Sequence, residues 1–133
     1  MRYKLFTMVV LPLLSACEQS PTVRTESIGS YIAQISHQPE PLQVGFDAEL
    51  QLKLTTEEGF EQRECRAHFR QYMPDMDMSH DNDVVAMKAN SAGMYTGRTR
   101  TFSMGGLWII ELTVDCGPGP VTTTLSYNLE WPE

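Results

Sequence analysis

Two long stretches near the end of the chain carry the residue pattern of β-strands. Residues 107–116 are rich in β-branched and aromatic side chains, and residues 121–131 place Val, Thr, Leu, Tyr, Leu and Trp at every second position, between polar residues. The Gly-Pro-Gly-Pro run at 117–120 separates them and requires a reversal of the chain. A period of two is typical of a half-buried strand, whereas a helix needs a period of 3.6. The sequence therefore predicts two strands joined by a tight reversal.

Five segments upstream show the same strand pattern, and no segment has a convincing helical stripe. Pro39 and Pro41 end the first of them because proline cannot donate to a strand ladder, and Gly93 marks a turn before the last. About seven short strands predict an all-β, immunoglobulin-like β-sandwich. A small Greek-key barrel is the alternative. The five upstream strands are predicted at residues 30–36, 48–54, 65–72, 83–89 and 94–102.

The first sixteen residues have the features of an export signal. Arg2 and Lys4 form a short basic head, and the apolar run 5–14 is too short for a stable membrane span. The region ends in Leu-Ser-Ala-Cys, which resembles a bacterial lipobox, where the thiol accepts a diacylglycerol. We therefore predict a lipoprotein signal peptide at 1–16 and lipidation at Cys17. An ordinary signal peptide with a chance cysteine, or an uncleaved anchor, is the alternative.

Cleavage before Cys17 would leave a lipid-anchored protein in the bacterial cell envelope, facing the periplasm. Glu18 follows the cysteine instead of the aspartate that retains many lipoproteins in the inner membrane, so the outer membrane is favoured. Residues 17–29 are mostly polar and show neither the period of two of a strand nor the period of 3.6 of a helix. This pattern predicts a lipidated flexible tether. The folded β-sandwich domain is expected at residues 30–133.

The charge balance disfavours nucleic acid and anionic membrane surfaces as partners. The whole chain carries a formal charge of -7, and removal of the sixteen signal residues, with Arg2 and Lys4 among them, would leave 117 of 133 residues at -9. An acidic domain gains nothing from a phosphate backbone and is repelled by anionic lipid head groups. We therefore expect no nucleic-acid partner and no membrane contact except through the lipid anchor.

Cys65 and Cys116 remain as a pair once Cys17 is assigned to the lipobox. An exported protein lies in an oxidising compartment, so a disulfide is expected. The alternation places Cys65 on the same face of its strand as Phe69, and Cys116 on the same face as Val114. Because these apolar faces should form the core, both thiols should point inward. Two copper-binding thiolates are the alternative.

The stretch 73–80, Met-Pro-Asp-Met-Asp-Met-Ser-His, places three thioethers and one imidazole within eight residues. Its proline and aspartates disfavour a buried helix. An extended backbone would direct Met76, Met78 and His80 to one face because their spacing is two. Cu(I) prefers thioether sulfur and accepts imidazole, so these residues are predicted to bind Cu(I).

Two further methionines extend this predicted site. We expect Met104 to close over the same end of the sandwich, either as a fourth soft ligand or as a packing contact, and Met73 has the same two alternatives. Packing of the thioethers against the sheet is the alternative for the whole cluster. Four aspartates could form a calcium loop, which is a weak alternative because the turn glycine and the terminal glutamate of the EF-hand spacing are absent; they are Asp75, Asp77, Asp81 and Asp83.

Three short motifs resemble those of a known family. Met-Pro-Asp-Met at 73–76, Gly-Met-Tyr at 93–95 and Met-Gly-Gly-Leu-Trp at 104–108 occur in the order found in YtkA-like domains, which are similar to FixH-type envelope domains. The resemblance spans roughly residues 32–129. It implies a β-sandwich outside the cytoplasmic membrane, near copper-handling or respiratory-oxidase functions, and does not imply the cysteine pair. The matching positions are Met73, Pro74, Met76, Tyr95, Met104, Gly106 and Trp108.

Catalysis is not expected. The sequence contains no Gly-rich phosphate loop, no nucleophile elbow and no paired cysteine-histidine element. Two functions remain. The first is a module that binds or passes Cu(I) through the Met/His cluster. The alternative is a non-enzymatic interaction or assembly module that docks on an envelope protein complex, with the Met-rich loop as contact surface.

Overall fold

The computed structural model describes residues 22–76 and 83–132, which form two antiparallel sheets packed as a sandwich. Within these residues no helix is long and apolar enough to cross a membrane. The strands are β1 (Arg24–Ile28), β2 (Tyr31–Gln38), β3 (Glu49–Thr56), β4 (Arg66–Tyr72), β5 (Val85–Ala86), β6 (Lys88–Ala89), β7 (Tyr95–Arg98), β8 (Gly106–Asp115) and β9 (Pro120–Leu129).

The order of the strands is that of an immunoglobulin-like fold. One sheet has the order β1-β2-β3-β7-β6, and the other has the order β5-β4-β8-β9. When β1 is left out, β2, β3, β7 and β6 correspond to strands A, B, E and D, and the second sheet corresponds to C′, C, F and G. The predicted all-β immunoglobulin-like sandwich is therefore confirmed, although the described residues form nine strands instead of about seven.

Alternating side chains of both sheets fill the core. β3 contributes Leu50, Leu52 and Leu54, and β8 contributes inward side chains from Trp108 to Val114, all of them buried. Full burial of one such side chain stabilises the fold by about 1.5 to 3 kcal/mol. Because a shift by one residue would expose a whole inward set, this alternation fixes the register of the central strands.

β1 lies within the stretch that was predicted to be a flexible tether. The prediction of a tether at 17–29 is therefore wrong from Arg24 onward. β1 pairs with β2 from Arg24 opposite Ile35 to Ile28 opposite Tyr31. Gly29 supplies the positive φ of 57° that the tight connection requires. Most side chains of β1 are polar, so its sequence lacks the apolar alternation of a strand. Backbone pairing with β2 holds it in the sheet. Residues 17–21 lie outside the described part of the chain.

The predicted strand at 83–89 is interrupted at Met87, where the chain passes from one sheet to the other. Before it, β5 pairs with β4 through Val85 and Phe69, and after it β6 pairs with β7. The Met87 N–H donates to the carbonyl of Ala67 at 2.9 Å, and the Met87 side chain is buried. Val85 and Met87 turn towards the core, whereas both residues of β6 are exposed, so the alternation of burial ends at Met87.

The ends of two other strands also differ from the prediction. The strand expected at 94–102 ends at Arg98, because the next residues cross between the sheets. The last strand ends at Leu129, so Trp131 lies beyond the ladder with 60% of its surface exposed.

Cys65 and Cys116 form the predicted disulfide. Cys65 directly precedes β4 and Cys116 directly follows β8, and their Cα atoms are 4.2 Å apart. Both side chains are half-buried and pack against the core, as the alternation indicated. The hydroxyl of Tyr95, in the opposite sheet, accepts the Cys65 N–H at 2.9 Å and donates to the Gln62 carbonyl at 2.8 Å. The disulfide and this hydroxyl thus hold one end of the sandwich together.

Replacing both cysteines by alanine should lower the free energy of unfolding by up to about 4 kcal/mol, the chain-entropy value for a sequence separation of 51. Urea denaturation followed by tryptophan fluorescence measures the change. Dithiothreitol should lower the stability of the unmodified chain similarly and leave the double variant unaffected. An unchanged urea midpoint in the double variant would contradict the stabilising role of the bridge.

Candidate metal-binding end of the sandwich

The segments that carry the predicted methionines meet at one end of the fold. β4 ends with Tyr72 opposite Ile109 of β8, so the residues that follow β4 lie beside those that precede β8. We call residues 73–76 and 99–106 the methionine end. The disulfide lies at the other end of β4, roughly 23 Å away at about 3.3 Å per residue, so its sulfur atoms cannot share a site with these methionines.

The backbone of the methionine end is held to both sheets. Gln71 of β4 is buried, and its side-chain amide donates to the Arg100 carbonyl at 3.1 Å and accepts the Arg100 N–H at 2.7 Å. Thr99 and Ala48 are joined by the Thr99 N–H to the Ala48 carbonyl at 2.8 Å and by the Ala48 N–H to the Thr99 hydroxyl at 2.9 Å. These bonds satisfy groups that would be costly to bury unpaired.

Phe102 continues this attachment along the crossover between β7 and β8. Its N–H donates to the Phe46 carbonyl at 3.1 Å, and its carbonyl accepts the Gly45 N–H at 2.8 Å. Its buried ring meets the ring of Trp108 edge-to-face, with centroids 5.2 Å apart and planes at 89°. The residues just before Met104 are therefore fixed by both backbone and side-chain contacts.

Met104 is presented at the surface by a bond to its backbone. The indole N–H of the buried Trp108 donates to the Met104 carbonyl at 2.9 Å, which gives the polar atom of the tryptophan a partner. The Met104 side chain remains 37% exposed. The arrangement holds the main chain while leaving the thioether accessible.

Met73 and Met76 have different environments although they are three residues apart. Met73 is only 7% exposed and belongs to the core, and its methyl carbon Cε lies so close to Gly106 that an added Cβ there would be 3.0 Å away. Met76 is 46% exposed, and its N–H donates to the Met73 carbonyl at 3.2 Å. Of the two alternatives for Met73, the structure shows packing, whereas Met76 is accessible to a ligand.

The remaining predicted ligands, Met78 and His80, lie outside the described residues. Their common face with Met76 therefore stays a prediction. The structure does bring Met76 and Met104 to the same end of the sandwich, from segments 28 positions apart in sequence. Exposed thioethers from two separate segments are the donor type that suits Cu(I).

Two carboxylates near the methionine end form surface ion pairs. The Asp83 carboxylate lies 2.6 Å from the Arg100 guanidinium, and Asp47 lies 2.9 Å from that of Arg98. Such pairs contribute about 0 to 1 kcal/mol each. In the described ranges, no three side chains among His, Cys, Asp and Glu come together as a group that could hold a metal ion. The soft donors that the described part of this end exposes are the thioethers of Met76 and Met104.

Two exposed aromatic side chains near this end were missed from the sequence. Trp131 lies against Gly105, where an added Cβ would be 2.6 Å from the indole Cδ1, so it is a close neighbour of the Met104 backbone. Phe46 is 58% exposed and directly precedes the ion-paired Asp47. In the sequence, Trp131 continues the alternating apolar set of the last strand, so the pattern indicated an inward side chain and not an exposed one.

Comparison with protein-family models, with curated proteins and with solved structures finds no match to this chain. Fold and site together define the class as an immunoglobulin-like sandwich that presents exposed thioether and aromatic side chains at one end.

Replacing Gln71 by leucine should lower the free energy of unfolding by about 3 kcal/mol, because the N–H and carbonyl of Arg100 would each lose a buried partner. Gln34 is an exposed glutamine on β2, and its replacement by leucine is the matched control, expected to change stability by less than about 0.5 kcal/mol. Chemical denaturation of both variants measures the difference. Equal stabilities would show that Gln71 does not secure the crossover.

Proposed function

We propose that this protein is a lipid-anchored module of the bacterial envelope that binds Cu(I) at the methionine end and passes it to an acceptor. The observation that carries the proposal is the exposure of Met76 and Met104 at one end, while Met73 and Met87 are buried in the core. A thioether that is exposed to solvent is available to a soft metal ion, whereas a buried one is not.

The donor set combines two described thioethers with two residues predicted from the sequence. Met76 supplies sulfur from the segment after β4 and Met104 from the segment before β8, and Met78 and His80 complete the proposed set. Thioether and imidazole are neutral ligands and need no deprotonation above the ordinary histidine pKa. Met73 packs in the core against Gly106 and is not a ligand in this proposal.

The proposed location rests on the amino-terminal sequence. The lipobox-like run ending at Cys17 supports lipid anchoring, and Glu18 supports the outer membrane. The periplasm is a compartment in which the Cys65–Cys116 disulfide is stable. The resemblance to YtkA-like and FixH-like envelope domains supports the same location and a link to copper. No catalytic role is included in the proposal.

A second candidate function is an interaction module that docks on an envelope complex without binding metal. Exposed Phe46 and Trp131 favour it, because large aromatic side chains are enriched in protein interfaces. The two functions differ in one measurable respect, which is the presence of a Cu(I) site.

The proposal is tested by titrating the protein, with its disulfide intact, against a chromophoric Cu(I) chelator under anaerobic conditions. Stoichiometric competition is expected. Replacing Met76 and Met104 together by leucine should weaken Cu(I) binding by about tenfold or more, or about 1.4 kcal/mol. Met94→Leu is the matched control, because Met94 is a half-buried methionine that directly precedes β7, near the disulfide end of the fold.

A second variant examines the residues predicted from the sequence. Joint replacement of Met76, Met78 and His80 by non-ligating side chains should reduce affinity strongly while the urea midpoint of unfolding stays within error. Unchanged affinity in both this variant and the leucine double variant would reject the proposed site. Failure of the unmodified protein to compete at all would favour the docking module.

A further inference from the structure

β9 is an edge strand whose outer side offers free backbone groups. It pairs with β8 and forms the end of the four-stranded sheet. The Ser126 carbonyl points away from β8, because it accepts a hydrogen bond at 3.0 Å from the guanidinium of Arg24 in β1. Backbone groups alternate in direction along a strand, so Thr124 and Asn128 also direct their N–H and carbonyl groups outward.

The spacing of the cysteines gives the same alternation independently. A Cα separation of 4.2 Å identifies Cys65 and Cys116 as a pair without mutual backbone bonds. Hydrogen-bonded and non-hydrogen-bonded pairs alternate along β8, so the backbone groups of Trp108 point towards β9 and bond to those of Tyr127. The backbone groups of the next residue, Asn128, therefore point away from β8. Among the described residues, no backbone partner occupies this outer side at Asn128.

The first strand covers only part of this edge. Gly29 lies against Val121, where an added Cβ would be 2.8 Å from the valine side chain, and Arg24 reaches Ser126. Beyond Ser126, none of the described strands lies along this edge. β1 therefore covers the first two-thirds of β9 and leaves the outward groups of Asn128 accessible.

A groove runs along the open part of the edge. Two cavities, of about 700 and 430 Å³, share the lining residues Pro41, Leu42 and Asn128. The first extends towards Tyr127, and the second extends towards Phe46. The shared residues join the two cavities into one groove, and the outward backbone of Asn128 forms part of its wall.

The groove has an acidic lining. Glu40 and His37 line the first cavity and Glu130 lines the second, and none of the described lining residues is a lysine or an arginine. The Thr22 N–H lies 3.0 Å from both carboxylate oxygens of Glu40 and lowers the pKa of this group, so Glu40 is ionised at neutral pH. A cationic occupant would find complementary charge in both cavities.

We propose that this groove binds an extended peptide segment of a partner protein that carries lysine or arginine side chains and adds as a strand to the outer edge of β9. Main-chain bonds to Asn128 would supply affinity, and Glu40 and Glu130 would select basic side chains, as in other complexes that extend a sheet edge. The proposal is independent of Cu(I) binding.

A second copy of this chain fits the groove less well. A symmetric contact between two β9 edges would bring Glu40 and Glu130 of one copy close to the same carboxylates of the other, because a twofold interface pairs a surface with itself. Like charges placed together oppose association. The acidic lining therefore favours a basic segment of a different protein.

The test measures the binding of two labelled peptides to the full chain by fluorescence anisotropy. One probe is a seven-residue peptide that alternates valine and lysine, and the other has glutamate in place of each lysine. The lysine peptide should bind at least about tenfold more tightly than the glutamate peptide. Equal binding of the two peptides, or binding of neither, would overturn the proposal.

A pair of proline variants locates the contact. Asn128→Pro removes the outward N–H without disturbing the ladder to β8, and it should weaken binding of the lysine peptide about fivefold, the loss of one backbone hydrogen bond. Thr124→Pro is the matched control, because it removes an outward N–H of the same strand outside the groove. A twofold change or less is expected for it, and equal effects of both variants would contradict the assignment.

Two charge variants keep the test decisive if Asn128→Pro does not fold. Glu40→Gln with Glu130→Gln should weaken binding of the lysine peptide about fivefold or more. Glu57→Gln with Glu58→Gln makes the same change in net charge in the turn after β3, outside the groove lining, and should leave binding nearly unchanged. Equal effects would show non-specific attraction only. Sedimentation of the unmodified chain as a dimer that Asn128→Pro dissociates would show instead that a second copy occupies the groove.

Discussion

The hydrogen bonds of the crossover between β7 and β8 are the constraint on which the functional surfaces depend. A segment that passes between two sheets carries backbone groups with no ladder partner, and burying them unpaired would cost about 1 to 3 kcal/mol each. Gln71 meets this requirement from one sheet, and Ala48, which directly precedes β3, meets it from the other. Trp108 then fixes the backbone of Met104. The crossover between β7 and β8 can therefore expose the Met104 thioether while its backbone stays fixed.

The same attachment links the methionine end to the groove along β9. Phe102 is bonded to Gly45 and Phe46, and Phe46 lines the second cavity of the groove. The segment after β2 thus contacts both surfaces, and Trp131 lies against Gly105 beside Met104. A metal site of soft donors and an acidic groove for a basic peptide would lie close together at one end of the fold. The disulfide stabilises the other end, away from both.

The sequence predicted the sandwich well because burial on one face of a strand imposes a period of two, and it predicted the disulfide because both cysteines share that period with core residues. It missed Arg24–Ile28, whose pairing is made by the main chain and whose side chains are mostly polar. It joined two strands across Met87, because the residue pattern at 83–89 does not mark the point where the hydrogen-bond partner changes. Composition also could not separate the buried Met73 from the exposed Met76, because tertiary packing alone distinguishes them.

The central claim is that particular methionine side chains bind Cu(I), and NMR of the protein labelled with ¹³C at the methionine methyl groups tests it most directly. Titration with Cu(I) under anaerobic conditions should shift the resonances of Met76 and Met104 up to one equivalent, while those of the buried Met73 and Met87 stay nearly constant. Assignment follows from single leucine variants. Resonances of Met76 and Met104 that do not move, or uniform small shifts of all methionines, would contradict the claim.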